Sequence, residues 1–75
     1  QLKDAKTKLQ EWLQARKMEL PDYRLVDVSG KDHKQTFRVT CQVAEKSTDG
    51  ESSSRRKAEQ VAARKMIAML DDREQ

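Results

Sequence analysis

Three serines followed directly by three cations form the segment of this 75-residue sequence with the clearest capacity for chemistry. The segment consists of Ser52, Ser53, Ser54, Arg55, Arg56 and Lys57. If Ser54 caps a helix, the cations occupy its first turn, where the helix dipole disfavours positive charge by roughly 0.3–1 kcal/mol per residue. A phosphate would reverse that penalty, because free N–H groups, serine hydroxyls and cationic side chains would all face one anion. The pattern predicts a phosphate-binding helix start; the alternative is a solvated basic turn without a ligand.

A stripe of polar side chains near the start of the chain is the second candidate surface. At 100° per residue, four polar side chains fall on one arc of a helix. We call them the polar stripe: Thr7, Gln10, Glu11 and Gln14. Hydroxyl, amide and carboxylate groups can donate to and accept from ribose 2′-hydroxyls, as a surface that reads the shape of A-form RNA requires. Ordinary solvated helix surface is the alternative interpretation of the same residues.

Positive charge is concentrated in the C-terminal part of the chain. The whole sequence has a net charge of +3, whereas residues 54–70 contain five basic residues and only Glu59 as an acidic one, a net charge of +4. This distribution favours an anionic partner. Aromatic residues make up only 4% of the chain, which argues against a platform that stacks the bases of single strands.

The other reactive residue types predict neither catalysis nor metal binding. The single histidine, His33, stands in a polar stretch, and the sequence contains no nucleophile–base pair, acidic metal-binding cluster or glycine-rich phosphate loop. Cys41 is the only cysteine, so an internal disulfide is impossible and a reducing, cytoplasmic compartment is expected. No apolar run approaches the roughly 18 residues that a membrane span needs.

Two predicted helices carry the candidate surfaces. The first spans residues 4–17, with Asp4 as its N-cap. Its apolar arc, opposite the polar stripe, consists of Leu9, Trp12, Leu13 and the stem of Arg16. The second spans residues 55–70, with Ser54 or Ser53 as its N-cap, and repeats apolar residues at i+4 spacing. These are Ala58, Ala62, Met66 and Leu70.

Strands are expected between the helices. Apolar and polar residues alternate strictly over residues 36–43, which is typical of a half-buried strand. Residues 23–29 form a less regular partner, because the apolar phase slips between Leu25 and Val26, as a β-bulge requires. A polar loop over residues 30–35 joins the two as an antiparallel hairpin. A third, polar edge strand is expected over residues 45–48.

The order of these elements predicts one small domain with an α+β fold, α-β-β-β-α. Two helices would pack on one face of a three-stranded antiparallel sheet, because that arrangement buries both apolar helix arcs and the apolar face of the strands. Small alanines near the start of the second helix would let it lie close to the sheet.

Four blocks of sequence occur in a specific order along residues 4–70. They are Pro21-x-Tyr23, Gly30-x-x-His33-x-x-x-Phe37, Ser54-Arg55-Arg56-Lys57-Ala58-Glu59 and Ala62-Ala63. Together they resemble the double-stranded-RNA-binding domain family. Finer motifs are similar to the C-terminal domain of bacterial ribonuclease III: Lys6-Thr7-Lys8-Leu9-Gln10-Glu11, Leu13-Gln14 and Cys41-Gln42-Val43. The chain departs from the family where a glycine, a hydrophobic residue and a proline are common, at Ser52, Asp49 and Lys31.

The resemblance implies binding to double-stranded RNA by shape over ~16 base pairs, with little sequence preference. The polar stripe would enter one minor groove and the loop the next, and the second helix start would straddle the intervening major-groove phosphates. The RNA-binding residues implied in this way are Thr7, Gln10, Glu11, Gln14, Gly30, His33, Lys34, Ser53, Ser54, Arg55, Arg56 and Lys57.

A ribonuclease III parent would make residues 1–3 a linker remnant, residues 4–70 the RNA-binding domain and residues 71–75 a flexible tail. Hydrolysis of rRNA and mRNA precursors, its Mg²⁺ and a homodimer interface would then belong to a nuclease domain outside these residues. The domain itself is expected to be monomeric and to need no cofactor. Two alternatives are left open: a domain of another RNA-processing protein, and a protein–protein interaction module on the same fold.

Overall fold

The computed structural model describes the backbone of residues 4–74 and the side chains of residues 4–72. The elements are α1 (Ala5–Ala15), β1 (Asp22–Ser29), β2 (Thr36–Val43), β3 (Lys46–Ser52) and α2 (Arg55–Glu74). The strands form one antiparallel sheet in the order β1-β2-β3. Both helices and the inward face of β2 contribute to a single core, so the predicted α-β-β-β-α fold is confirmed. The predicted linker, residues 1–3, lies outside the described residues.

Helix α1 is closed at both ends by hydrogen bonds. The Asp4 carboxylate accepts a hydrogen bond from the Thr7 N–H at 2.8 Å, so the predicted N-cap is confirmed. The helix ends before the predicted position because Lys17 itself adopts a left-handed backbone, with φ of 57°. The Met18 N–H then donates back to the Leu13 carbonyl at 2.9 Å, which is the 6→1 hydrogen bond of a Schellman motif.

The irregular first strand contains the predicted bulge. Leu25 is paired with Val39, but the next pair joins Asp27 to Arg38, so Val26 is an extra residue in β1. One inserted residue reverses which side chains face the helices. The slip in apolar phase along the sequence is therefore the direct consequence of this register shift.

Strand β3 is longer than predicted, because it extends to Ser52 instead of ending at Thr48. The side-chain positions that face the helices are Thr48 and Gly50, which lack the apolar alternation by which strands are recognised. Asp49 points to the opposite face, where its carboxylate accepts a hydrogen bond from the Thr40 hydroxyl at 2.9 Å. A carboxylate at this position is therefore compatible with the strand.

Helix α2 lies very close to β3. The Thr48 hydroxyl donates a hydrogen bond to the Ala62 carbonyl oxygen at 2.7 Å, and Gly50 lies against the backbone at Ala58. Both alanines are fully buried. The predicted use of small side chains for a close helix–sheet approach is therefore confirmed.

The second helix continues past its predicted end. Its backbone is helical to Glu74 rather than to Leu70, so residues 71–74 of the predicted tail extend the helix. These residues are polar, so they add nothing to the apolar pattern from which the end was predicted, yet they include no glycine or proline that would stop a helix. No helix in the described part of the chain is long and apolar enough to cross a membrane.

The core lies between the two helices and β2. Its buried members are Leu9, Leu13, Cys41, Val43, Ala62, Ala63, Met66 and Leu70. Trp12 packs against this cluster while half-buried, and the Arg16 guanidinium carbon lies 3.7 Å from the centre of its ring. Both residues therefore take the positions predicted from the apolar arc of α1.

The buried Cys41 thiol is expected to be unreactive in the folded domain. Burial raises its pKa to about 11, and the thiolate is the reactive species. At pH near 8 the thiolate fraction is then roughly 200-fold lower than for a free cysteine, which has a pKa near 8.5. Reaction with a thiol reagent should accordingly be at least that much slower in buffer than in denaturant. Equal rates in the two solutions would contradict the burial of this residue.

Candidate nucleic-acid interface

The start of α2 is built as the sequence predicts. The Ser54 hydroxyl oxygen accepts a hydrogen bond from the Lys57 N–H at 3.1 Å, and its carbonyl accepts from Ala58 at 2.9 Å. Ser54 is therefore the N-cap, whereas Ser53 is exposed. The N–H groups of Arg55 and Arg56 occupy the first two helical positions, where a helix offers no acceptor of its own.

Three cations occupy the first turn of α2, directly after Ser54. They form the basic cluster: Arg55, Arg56 and Lys57, all exposed. Arg55 is partly engaged, because its Nε donates to a carboxylate oxygen of Glu59 at 3.1 Å. Within the described residues, neither Arg56 nor Lys57 forms an ion pair. These two side chains are the ones best able to bind an added anion.

All four residues of the polar stripe are exposed on α1. Leu9 and Leu13, on the opposite face of the same helix, are fully buried. Burial of that face holds the helix in place and turns the stripe outward. With a rise of about 1.5 Å per residue, the stripe is roughly 10 Å long from Thr7 to Gln14.

The loop between β1 and β2, residues 30–35, has a compact shape that depends on its glycine. Gly30 has a φ of +93°, and a Cβ at this position would lie 2.2 Å from the Lys34 carbonyl oxygen. The Lys34 N–H donates to the Lys31 carbonyl at 2.7 Å, which closes a tight turn. His33 and Lys34 are exposed in this loop.

Antiparallel topology places the loop and the start of α2 at the same end of the sheet. The loop connects Ser29 to Thr36, which are paired at the end of β1 and β2. The adjacent residue Phe37 is paired with Ser52, the last residue of β3, and α2 begins three residues later. Two of the three predicted contact zones, the β1–β2 loop and the start of α2, therefore share one end of the domain.

The polar stripe and the basic cluster meet at a groove between the helices. The groove has a volume of about 250 Å³. It is lined by Asp4, Lys6, Thr7, Gln10, Arg56 and Gln60. The structure thus brings Thr7 and Gln10 next to Arg56, whereas Glu11 and Gln14 lie further along α1. A ligand seated on the first turn of α1 would contact both helices.

Three residues that organise this groove were not identified from the sequence: Lys6, Glu59 and Gln60. Lys6 Nζ lies 2.6 Å from Glu59 Oε1, and Gln60 Oε1 accepts hydrogen bonds from the N–H groups of Ala5 and Lys6 at 2.8 and 3.3 Å. Burial of the Glu59 carboxyl raises its pKa, but the hydrogen bonds from Lys6 and Arg55 outweigh this effect and leave the pKa below its ordinary value. Glu59 is therefore ionised at neutral pH.

The family model for the double-stranded RNA binding motif matches residues 5–70, which include the polar stripe, the β1–β2 loop and the basic cluster. The chain belongs to this family. Membership explains why a short polar helix, a glycine-dependent loop and a basic helix start occur together in one small domain. Among the described residues of this RNA-binding motif domain, no group of three or more His, Cys, Asp or Glu side chains is arranged to hold a metal ion.

Curated relatives of the domain are bacterial ribonucleases. Ribonuclease 3 of Alkalilimnicola ehrlichii is 52% identical, over 97% of this chain and 33% of that protein. Ribonuclease 3 of Delftia acidovorans is also 52% identical, over 95% of this chain and 32% of that protein. The chain spans about a third of the length of these relatives, and the matched part is their C-terminal third.

Solved structures of two other proteins share the fold. A structure of Arabidopsis HYL1, described for its implications for miRNA processing, has a TM-score of 0.78 at 30% identity, covering 89% of this chain and 96% of that chain. The second double-stranded-RNA-binding domain of DRB4 has a TM-score of 0.65 at 33% identity, covering 88% and 93% of the two chains. The fold of the motif is therefore the one described above.

Proposed function

We propose that this domain binds double-stranded RNA by the shape of the A-form helix, using three zones. The polar stripe enters a minor groove and exchanges hydrogen bonds with 2′-hydroxyls, and the β1–β2 loop, with His33 and Lys34, reaches the next minor groove. Ser53, Ser54 and the basic cluster bind the phosphates of the major groove between them. Glu11 fits this role as an acceptor from a 2′-hydroxyl rather than as a neighbour of a phosphate.

One observation carries the proposal. Thr7 and Gln10, which can bind ribose hydroxyls, line the same groove as Arg56, beside two N–H groups at the start of α2 that have no acceptor in their helix. Ribose and phosphate groups alternate along one RNA strand, so a surface that presents both kinds of partner side by side suits that strand. DNA lacks the 2′-hydroxyl and would use only the phosphate partners.

The whole protein is proposed to be a ribonuclease III-like endoribonuclease that processes rRNA and mRNA precursors in the cytoplasm. The 52% identity to the C-terminal third of two ribonucleases supports this assignment. The nuclease chemistry, its Mg²⁺ and a homodimer would belong to the part of such an enzyme that this chain does not match. The domain described here would hold duplex RNA and raise its local concentration at that active site.

Titration with three nucleic acids of equal length tests the RNA-binding function. The ligands are duplex RNA, duplex DNA and single-stranded RNA, each with about 20 nucleotides per strand. Duplexes of this length are longer than the ~16 base pairs that such a domain covers. At low ionic strength, fluorescence anisotropy should show at least tenfold tighter binding to duplex RNA than to either other ligand. Equal affinities for all three would indicate generic polyanion binding and would overturn the proposal.

A further inference from the structure

Side-chain hydrogen bonds from outside α1 connect its first turn to the second turn of α2. We propose that Glu59 and Gln60 are positioning residues: they set the spacing between the polar stripe and the basic cluster, and thereby the preference for A-form over B-form duplexes. This inference rests on the proposed RNA-binding function. We call Glu59 and Gln60, with their partners Ala5 and Lys6, the interhelical brace.

Gln60 completes the start of α1 from the other helix. A helix leaves four N–H groups at its start without intrahelical acceptors. The Asp4 side chain accepts from Thr7, while the Gln60 side chain of α2 accepts from Ala5 at 2.8 Å and from Lys6 at 3.3 Å. One amide oxygen therefore fixes the position of the first turn of α1, which carries Thr7, relative to α2.

Glu59 ties the same turn to α2 and to the sheet. Its carboxylate accepts from Lys6 of α1 at 2.6 Å and from Arg55 of α2 at 3.1 Å. The Glu59 side chain is only 13% exposed, so water competes with these bonds far less than at an open surface pair. The Lys6 ammonium also lies 4.9 Å from the centre of the Tyr23 ring on β1, which links the brace to the first strand.

The brace bears on discrimination because the two surfaces read different features of a duplex. Phosphates are common to RNA and DNA, whereas 2′-hydroxyls and the wide, shallow minor groove are specific to A-form RNA. Engaging both at once requires a fixed distance between α1 and α2. A domain without the brace would keep its attraction for phosphates but lose the hydroxyl contacts that depend on that distance.

Glu59 also makes two cations, Lys6 and Arg55, less available to phosphates. Lys6 lines the groove, and the charges of both Lys6 and Arg55 are already directed at the Glu59 carboxylate. Removing this carboxylate releases both cations. Each phosphate that they then neutralise would raise the affinity for any duplex, whatever its sequence and whether it is A-form or B-form. Loss of the fixed helix spacing and release of the two cations would both weaken the discrimination between duplex RNA and duplex DNA.

Two variants separate positioning from charge. For Glu59→Gln, at about 0.1 M salt, we expect affinity for duplex DNA to rise about eightfold, the RNA-to-DNA affinity ratio to fall five- to tenfold, and the log–log salt slope to steepen by roughly 1.

Gln60→Met keeps the charge and most of the side-chain volume but removes the acceptor. For this variant we expect duplex RNA affinity to fall about fivefold, with duplex DNA affinity and salt slope unchanged.

Glu51→Gln is the matched control. It also removes one carboxylate, but from the Arg38–Glu51 pair on the opposite face of the sheet, and its RNA-to-DNA ratio should stay within about twofold of wild type. Circular dichroism and thermal unfolding establish that each variant is folded. If Glu59→Gln does not fold, Lys6→Gln breaks the same ion pair from α1 and should lower the ratio likewise.

The outcomes distinguish the two levels of inference. A wild-type domain without preference for duplex RNA would overturn the proposed function. A wild-type preference that survives in folded Glu59→Gln and Gln60→Met would overturn the positioning role alone. A lower melting temperature with an unchanged RNA-to-DNA ratio would show that the brace is merely structural and would equally reject the proposal.

Discussion

Replacing Arg56 and Lys57 together with alanine is expected to lower the affinity for duplex RNA roughly 60-fold at about 0.1 M monovalent salt. Each neutralised phosphate contributes about −0.9 to the log–log salt slope, so the loss of two contacts should flatten that slope by almost 2. These two side chains are chosen because no other described residue forms an ion pair with them. Both are therefore available to the RNA backbone.

Arg55→Ala is expected to have a smaller effect, only a few-fold, because the Arg55 guanidinium already donates to Glu59. Arg24→Ala is the control for net charge, since Arg24 lies on β1 and is paired with Asp22. Anisotropy titrations over a range of salt concentrations, with two unrelated duplex sequences, provide the measurement. An Arg56/Lys57 double variant that binds within twofold of wild type, with the same salt slope, would reject the helix start as the phosphate site.

Gly50→Ala is expected to destabilise this domain strongly. A Cβ at this position would lie 2.2 Å from the Ala58 carbonyl oxygen and 2.5 Å from the Ala62 nitrogen. Both atoms belong to the backbone of α2, so relief requires the whole helix to move away from β3. We expect a loss of about 3 kcal/mol or more in the free energy of unfolding.

That loss is large beside the roughly 4–11 kcal/mol of total stability expected for a domain of this size. It corresponds to a fall in melting temperature of at least about 12 °C. Thermal and urea unfolding of Gly50→Ala provide the measurement, with Ser47→Ala, at an exposed position of the same strand, as the control. A melting temperature within about 2 °C of wild type would show that α2 can separate from β3 at little cost.

The sequence alone predicted the elements whose signals are local. The N-cap at Asp4, the i+4 repeat of α2, the alternation in β2 and the slip in phase that marks the bulge each depend on residues within a few positions of one another. Cations crowded at a helix start also form a local conflict, which is why the sequence predicts a phosphate site at the basic cluster.

Two element boundaries were predicted poorly because their residues carry no apolar pattern. Strand β3 faces the helices with Thr48 and Gly50, and its pairing with β2 is a main-chain interaction to which side-chain hydrophobicity contributes little. The last turn of α2 is likewise polar. Strand β3 is extended by its pairing with β2, whereas α2 continues because residues 71–74 include no glycine or proline that would stop a helix.

The interhelical brace could not be predicted from residues near one another in the chain. The spacing of Arg55 and Glu59 indicates an i,i+4 ion pair, but Lys6 reaches Glu59 across 53 positions and Ala5 reaches Gln60 across 55. Such contacts exist only after both helices have packed on one sheet. Local chemistry therefore specified which groups could bind RNA, and packing specified how far apart those groups are held, because distance between elements is a property of the folded core.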